Sequence, residues 1–277
     1  MSRDIDIRDH RPVPTPTDVR APEQASHDRR ALRGRGYICH ISDSELETLR
    51  DIGRFRIIAL ADLARQRYQG NTGQMDQDLR SLKAQNLIQR RTLWTGGRAE
   101  RLAVVALNKP GKNLLRDNGG LSPAQAVYAG LVKPAEVAHD AAIYRMYHAE
   151  ARKIEQAGGR ISRIVLDYEL KKNVYSPLAK ARALPPLEYA RKQADIAAQN
   201  GLKVIAGKIL LPDLRIEYET REGSITHVDL ELATHHYRAS MMRGKAEAGF
   251  KMYAPADSAA HLAAAFDPEF AAHIFSF

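Results

Sequence analysis

Residues 210–236 read LLPDLRIEYETREGSITHVDLELATHH, two strand-like runs joined at a Gly223-Ser224 turn. Apolar and polar residues alternate along both runs, which is the period of half-buried strands. Acidic residues take set places in this pattern. Asp213 follows Pro212 at the head of the first run, and Asp229 and Glu231 stand two apart in the second. Alternation puts Asp229 and Glu231 on the same face of their strand. His227 shares that face, and His235 and His236 follow closely.

The flanking segments predict what this hairpin belongs to. Upstream, Val137, Ile143, Met146, Tyr147 and Ile154 give an amphipathic helix that Gly158-Gly159 stops, and RISRIVLDYEL reads as a strand. Residues 171–187 are basic and contain proline, the composition of a mobile connector, and LEYARKQADIAAQNG then reads as a helix ending at Gly201. LKVIAGKILLPDLRIEYE and SITHVDLELA are the β-rich runs, and a helix is expected from about residue 234 to 253. In the final segment Phe266, Phe270, Ile274 and Phe277 recur at helical spacing, suited to docking onto the same chain. A helix, a strand, a hairpin of strands and a further helix predict an α/β (α+β) domain with a mixed sheet over residues 135–277.

The first half has a different pattern. Residues 1–41, rich in Arg, Asp and Pro, predict a disordered basic arm. Ser42 and Glu45 have capping-box spacing, and Leu46, Leu49, Ile52 and Phe55 share a helical face. ALADLARQRYQG is a short second helix. In the third, Met75, Leu79 and Leu82 are the buried stripe, while Gln74, Gln77, Arg80 and Lys83 face outward, able to reach base edges or phosphates. Arg80 or Lys83 could instead pair with Asp76 or Asp78 on a solvated face. A hairpin follows, with Arg90, Arg91 and Trp94 on one strand, a turn at Thr95-Gly96-Gly97, Arg98, and a return strand from Arg101 to Leu107; Trp94 is expected to pack against this hairpin. KNLLRD is one more helix, and residues 121–134, with two prolines, read as a linker.

The chain has 277 residues and a net charge of +9, which favours a polyanionic partner, double-stranded DNA above all. No apolar run reaches membrane-spanning length and no signal core opens the sequence, so a cytoplasmic protein without membrane attachment is expected. Cys39, the single cysteine, has no internal disulfide partner and reads as a spectator. A Walker A loop, a dinucleotide fingerprint and a defensible Ser-His-Asp arrangement are all lacking, which disfavours ATP- or NAD-driven chemistry.

Helix, helix, helix, hairpin over residues 42–120 resembles winged helix-turn-helix DNA-binding domains. The resemblance implies that the third helix enters the major groove while Arg90, Arg91, Arg98 and Arg101 touch backbone or minor groove. The second half, with Pro212-Asp213 on one strand and Asp229-Leu230-Glu231 on the next, resembles the PD-(D/E)xK nuclease-like fold. There, two carboxylates on adjacent strands hold Mg²⁺ and a lysine steadies the attacking water or the developing phosphate charge. In that pattern Asp213 is the first ligand, Glu231 the second, and the lysine falls at position 233, which is Ala233. Lys245 or Lys251 from the following helix is the substitute, and Glu150 could supply a further carboxylate. A scaffold reading pairs Asp229 and Glu231 with Arg215, Arg238 or Arg243, and a histidine-rich reading assembles a transition-metal site around His227.

From about Ser42 to Tyr253, the winged helix, the His139-Asp140 pair, the PD strand and the E-L pair before a Lys- and Tyr-containing helix resemble the bacterial replication-relaxation family. The resemblance implies a DNA-binding protein of a plasmid or other mobile element, acting in replication, transfer or transcriptional control; the departure at Ala233 points to an inactive nuclease-like domain with no cofactor, and to Mg²⁺ only if the site is active. The alternatives are an active Mg²⁺-dependent endonuclease guided by the winged helix, and a protein-interaction module. A homodimer reading paired half-sites is left open.

Overall fold

The computed structural model of the chain describes residues 29–34, 36–94, 101–234, 237, 239–256, 258 and 274–277. Arg98, the turn at 95–97, His235, His236, Arg238, Phe266, Phe270 and residues 1–28 of the expected arm lie outside the described residues. The architecture is mixed α/β with mixed sheets, as the patterning predicts.

The chain opens earlier than the capping box. β1 (Arg30–Gly34) and β2 (Tyr37–Ile41) form an antiparallel hairpin, so residues 30–41 are not the disordered arm expected of them. Cys39 and Ile41 point inward at alternate positions and are buried. Tyr37 donates its hydroxyl to the Pro110 carbonyl at 2.7 Å. This two-residue inward period was hidden by the arginines around it.

α1 (Asp43–Arg54) starts at the predicted box: the Ser42 hydroxyl accepts from the Glu45 amide and the Glu45 carboxylate accepts from the Ser42 amide, a device that contributes about 1 kcal/mol. β3 (Ile57–Ala59), α2 (Leu60–Arg67) and α3 (Thr72–Ala84) follow, then β4 (Ile88–Trp94) and β5 (Arg101–Leu107). The last two pair antiparallel, and β3 adds to β5 to give the order β3-β5-β4. α4 (Lys109–Asn118) closes the unit. Gly111 is required there, because a Cβ would stand 2.2 Å from the Leu87 carbonyl oxygen.

The segment expected to be a free linker is docked. The Gln125 side-chain amide donates to the Ile164 carbonyl and accepts from its N–H, both at 2.9 Å, which satisfies backbone groups on the outer strand of the next sheet. α5 (Val137–Gln156) and β6 (Arg160–Leu166) then lead directly into α6 (Asp167–Ala181). A mobile connector was expected over 171–187; most of it is helical in spite of Pro177. Leu170, Val174 and Leu178 form a stripe on the second hydrophobic cluster, and Ala181 is buried on the same helix. Burial of that stripe offsets the roughly 3 kcal/mol that an interior proline costs a helix.

α7 (Pro186–Gln199), the two-residue strands β7 (Val204–Ile205) and β8 (Lys208–Ile209), β9 (Leu214–Glu219) and β10 (Ile225–Leu232) come next. β6, β9 and β10 form an antiparallel meander. α8 (Ala239–Ala248) returns the chain to β11 (Lys251–Ala254), parallel to β10, and β12 (Ile274–Ser276) pairs parallel with β11. Two expectations fall here. The helix expected through residue 253 ends at Ala248, because Gly249, at φ +95°, turns the chain while Phe250 N–H bonds back to the Lys245 carbonyl. Ile274 belongs to a strand, not a helix, although it does dock in cis.

One hydrophobic cluster runs from α1 and β5 through α5 to β9 and β10, so the two halves share a core. At their junction the Phe55 ring meets Tyr144 edge-on at 5.0 Å and Tyr147 at 4.9 Å, contacts worth about 1 kcal/mol each beyond their burial. His148 stands edge-on to both tyrosines, with Nε2 buried and unpartnered. Burial, then the charges of Arg152 and Arg54, lower its pKa from 6.5 to about 4. The unfolded chain therefore takes up this proton first, so the stability is complete above pH 6.5 and is lost as pH falls toward 4. Going from pH 7 to 5 should cost the wild type up to about 2 kcal/mol more than His148→Phe in denaturant unfolding. Equal losses in the two proteins would contradict this placement of His148.

Candidate functional site

Three elements converge on one spot. Asp213 sits just ahead of β9, wedged between strands: its N–H donates to the Leu230 carbonyl at 3.1 Å and its carbonyl accepts from Asp167 at 3.2 Å. Glu231 comes from β10, and Lys245 from α8 reaches it at 2.7 Å. Lys245 also donates to the Leu211 carbonyl at 2.7 Å. The expected trio of Asp213, Glu231 and Lys245 is thus brought together. Ala233, at the position where the nuclease-like pattern has lysine, is fully buried with Met242, Met252 and Ala254. A lysine there would bury its ammonium among apolar groups, whereas Lys245 enters from the adjoining helix.

Glu231 is 1 % exposed. Its Oε1 accepts from Lys245 and from the Tyr237 hydroxyl, but Oε2 is buried with no hydrogen-bond partner. Burial and the charge of Asp213 push its pKa up to about 7, against the opposing pull of Lys245 and Tyr237. Asp213 moves the other way. Burial would raise it, yet the His139 hydrogen bond and charge, the Leu232 N–H at 2.9 Å and Lys245 together hold it below the usual range. His139 Nε2 lies 3.4 Å from Asp213 Oδ1, and its Nδ1 lies 3.2 Å from Asp140, which Arg56 pairs with at 2.6 Å. Burial disfavours the imidazolium, but the two carboxylates prevail and raise His139 to about 10. His139 and Tyr237 were not singled out as site residues; the His139-Asp140 pair was visible in the sequence, whereas nothing local marks Tyr237.

Glu150 does not join this site. It is 2 % exposed, takes the Tyr253 hydroxyl at 2.6 Å and Lys251 at 2.7 Å, and stands eleven residues beyond His139 on α5, about 16 Å along the helix. Glu150 as a metal ligand and Lys251 as the substitute lysine are therefore both corrected. The scaffold reading holds for Asp229, whose carboxylate takes the Arg215 guanidinium through two bonds of 2.7 and 2.8 Å. It fails for Glu231, which pairs with Lys245. That use of Asp229 also removes it from a histidine-centred site, and no group of three or more His, Cys, Asp or Glu that could hold a metal occurs among the described residues. Mg²⁺ needs no such cage, since it commonly keeps several waters and binds through one or two carboxylates. Asp213 and the unpartnered Oε2 of Glu231 fit that demand.

The carboxylates open into a cavity of about 660 Å³, whose lining includes Asp167, Lys171, Tyr175, Arg182, Tyr189 and Lys208.

A second surface lies on the first half. Gln77, Arg80 and Lys83 on α3 are exposed, as are Arg91 on β4 and Arg101 on β5. Arg80 and Lys83 do not pair with the α3 aspartates. Asp78 instead accepts from Ser44, Tyr68 and Gln74, and Asp76 takes Arg90 at 3.0 Å. Gln74 and Arg90 are thus tied into the unit rather than presented freely. Trp94 is 54 % exposed, with the Arg101 guanidinium 4.6 Å over its ring. No helix among the described residues is long and apolar enough to cross a membrane. The chain matches no protein-family model and no curated protein.

Lys245→Met should destabilise the fold by about 3 kcal/mol, since it strands a buried carboxylate. Lys245→Met/Glu231→Gln should recover much of that loss in urea unfolding. A single variant as stable as the wild type would mean that the pair is not formed.

Proposed function

We propose that the chain is a duplex-DNA-binding protein that carries a metal-dependent phosphodiester-cleaving site in its second half. The observation that carries the cleavage reading is the unpartnered, buried Oε2 of Glu231 beside Asp213, with Lys245 in contact. An inactive scaffold would gain by neutralising or replacing such a group, because an unsatisfied buried carboxylate oxygen is costly. This favours the active alternative over the inherited scaffold that the Ala233 departure suggests. The order of α5, β6, β9, β10, α8 and β11 supports the PD-(D/E)xK-like reading, as the three helices and hairpin of the first half support a winged helix.

Asp213 and Glu231 would hold Mg²⁺, which supplies charge stabilisation to the phosphoryl oxygens and a water of lowered pKa. Lys245 keeps Glu231 in place and puts a positive charge where negative charge develops on phosphate. His139, held by Asp140, fixes the orientation of the Asp213 carboxylate. Duplex binding falls to Gln77, Arg80 and Lys83 on the exposed face of α3, with Arg91 and Arg101 on the hairpin at phosphates. The resemblance to replication-relaxation proteins would place the activity in the replication, transfer or transcriptional control of a mobile element.

Purified protein with supercoiled plasmid and Mg²⁺ or Mn²⁺ should both retard and nick it. Nicking should be lost in Asp213→Ala and Glu231→Ala while retardation persists. Arg80→Ala and Arg91→Ala should weaken retardation, each lowering the salt slope of binding by roughly one. Retardation without nicking in the wild type would return the second half to a scaffold; failure to bind duplex at low salt would favour a protein-interaction module.

A further inference from the structure

The α6–α7 hairpin supplies neither carboxylate of the pair, yet it walls the cavity into which they open. Lys171, Tyr175 and Leu178 on α6 and Arg182 at its C-cap recur at helical spacing and line the space, with Tyr189 and Gln193 from α7. The hairpin is strongly one-signed: residues 171–192 carry six Lys and Arg against Glu188 alone. Tyr175 is 52 % exposed, a large ring held open to solvent. Arg182 has no partner among the described residues, whereas Lys171 pairs with Asp167.

The dimensions restrict what enters. About 660 Å³ lies within the range of small-ligand sites and holds roughly one or two nucleotides, not a double helix whose major groove alone is about 12 Å across. Asp213 and Glu231 are only 15 % and 1 % exposed. Carboxylates this buried, at the floor of a cavity of that size, are reached more readily by the phosphodiester of a strand drawn out of the stack than by one held in an intact duplex. Basic groups following a backbone, with aromatic rings among them, are the general equipment for holding single strands.

We propose that the α6–α7 hairpin and the cavity beneath it bind a single DNA strand, with Tyr175 stacking on a base and Arg182 on a phosphate, so that the carboxylate site receives unpaired DNA. The inference rests on the cleavage reading for its purpose, but its test does not require cleavage. Fluorescence anisotropy of a labelled oligo-dT with the full chain in EDTA measures strand binding alone. Tyr175→Ala and Arg182→Ala, both at exposed positions, should each weaken it about tenfold, and Tyr175→Phe should retain it because stacking needs the ring. Retardation of duplex should be unchanged in all three. Unchanged oligo-dT affinity in Tyr175→Ala and Arg182→Ala would overturn the proposal, as would an affinity abolished by Arg80→Ala instead. A chain that binds oligo-dT through Tyr175 but never nicks plasmid would sink the cleavage reading and leave the strand site standing.

Discussion

A carboxylate buried to 1 % exposure has to be compensated, and the second half of the fold is arranged around doing so for Glu231. The meander of β6, β9 and β10 places Asp213 against the end of β10, where its charge raises the free energy of an ionised Glu231. The crossover through α8 answers by sending Lys245 back over the same strand end, and the turn at Gly249 then releases the chain into β11. Only one oxygen of Glu231 is satisfied in this way. The other is left buried without a hydrogen-bond partner, an arrangement that is costly as structure and that functional sites share.

The two halves are not separate bodies on a tether. Phe55 beneath Tyr144 and Tyr147, Arg56 on Asp140, and Gln125 on the outer strand of the mixed sheet join them through apolar contact and hydrogen bonds alike. The Arg56–Asp140–His139–Asp213 chain runs from the end of α1 to the carboxylate site. The exposed face of α3 and the mouth of the cavity are therefore joined through one shared core.

Much of this was legible because local chemistry and burial agree. The Ser42–Glu45 box, the Met75–Leu79–Leu82 stripe and the alternation through 225–232 each announce the element they form, and Asp213, Glu231 and Lys245 were reachable from strand alternation and the following helix. Failures occurred where tertiary packing overrode the local signal. Pro177 and its basic neighbours masked the Leu170–Val174–Leu178 stripe, and the four residues of β11 were absorbed into the preceding helix because a short buried strand and a helix end share the same apolar composition. Glu150 was assigned by residue type alone; its position well along α5 takes it to Lys251 and Tyr253. Tyr237 could not have been foreseen, since only the closed site shows which loop side chain covers Glu231.

The central claim is that Asp213 and the open oxygen of Glu231 form a cation site. Isothermal titration of the full chain with Mn²⁺ in the absence of DNA tests it most directly. The account predicts one saturable site per chain that disappears in both Asp213→Asn and Glu231→Gln and persists in Glu150→Gln. Binding that survives the first two substitutions, or heat no greater than dilution for the wild type, would contradict it.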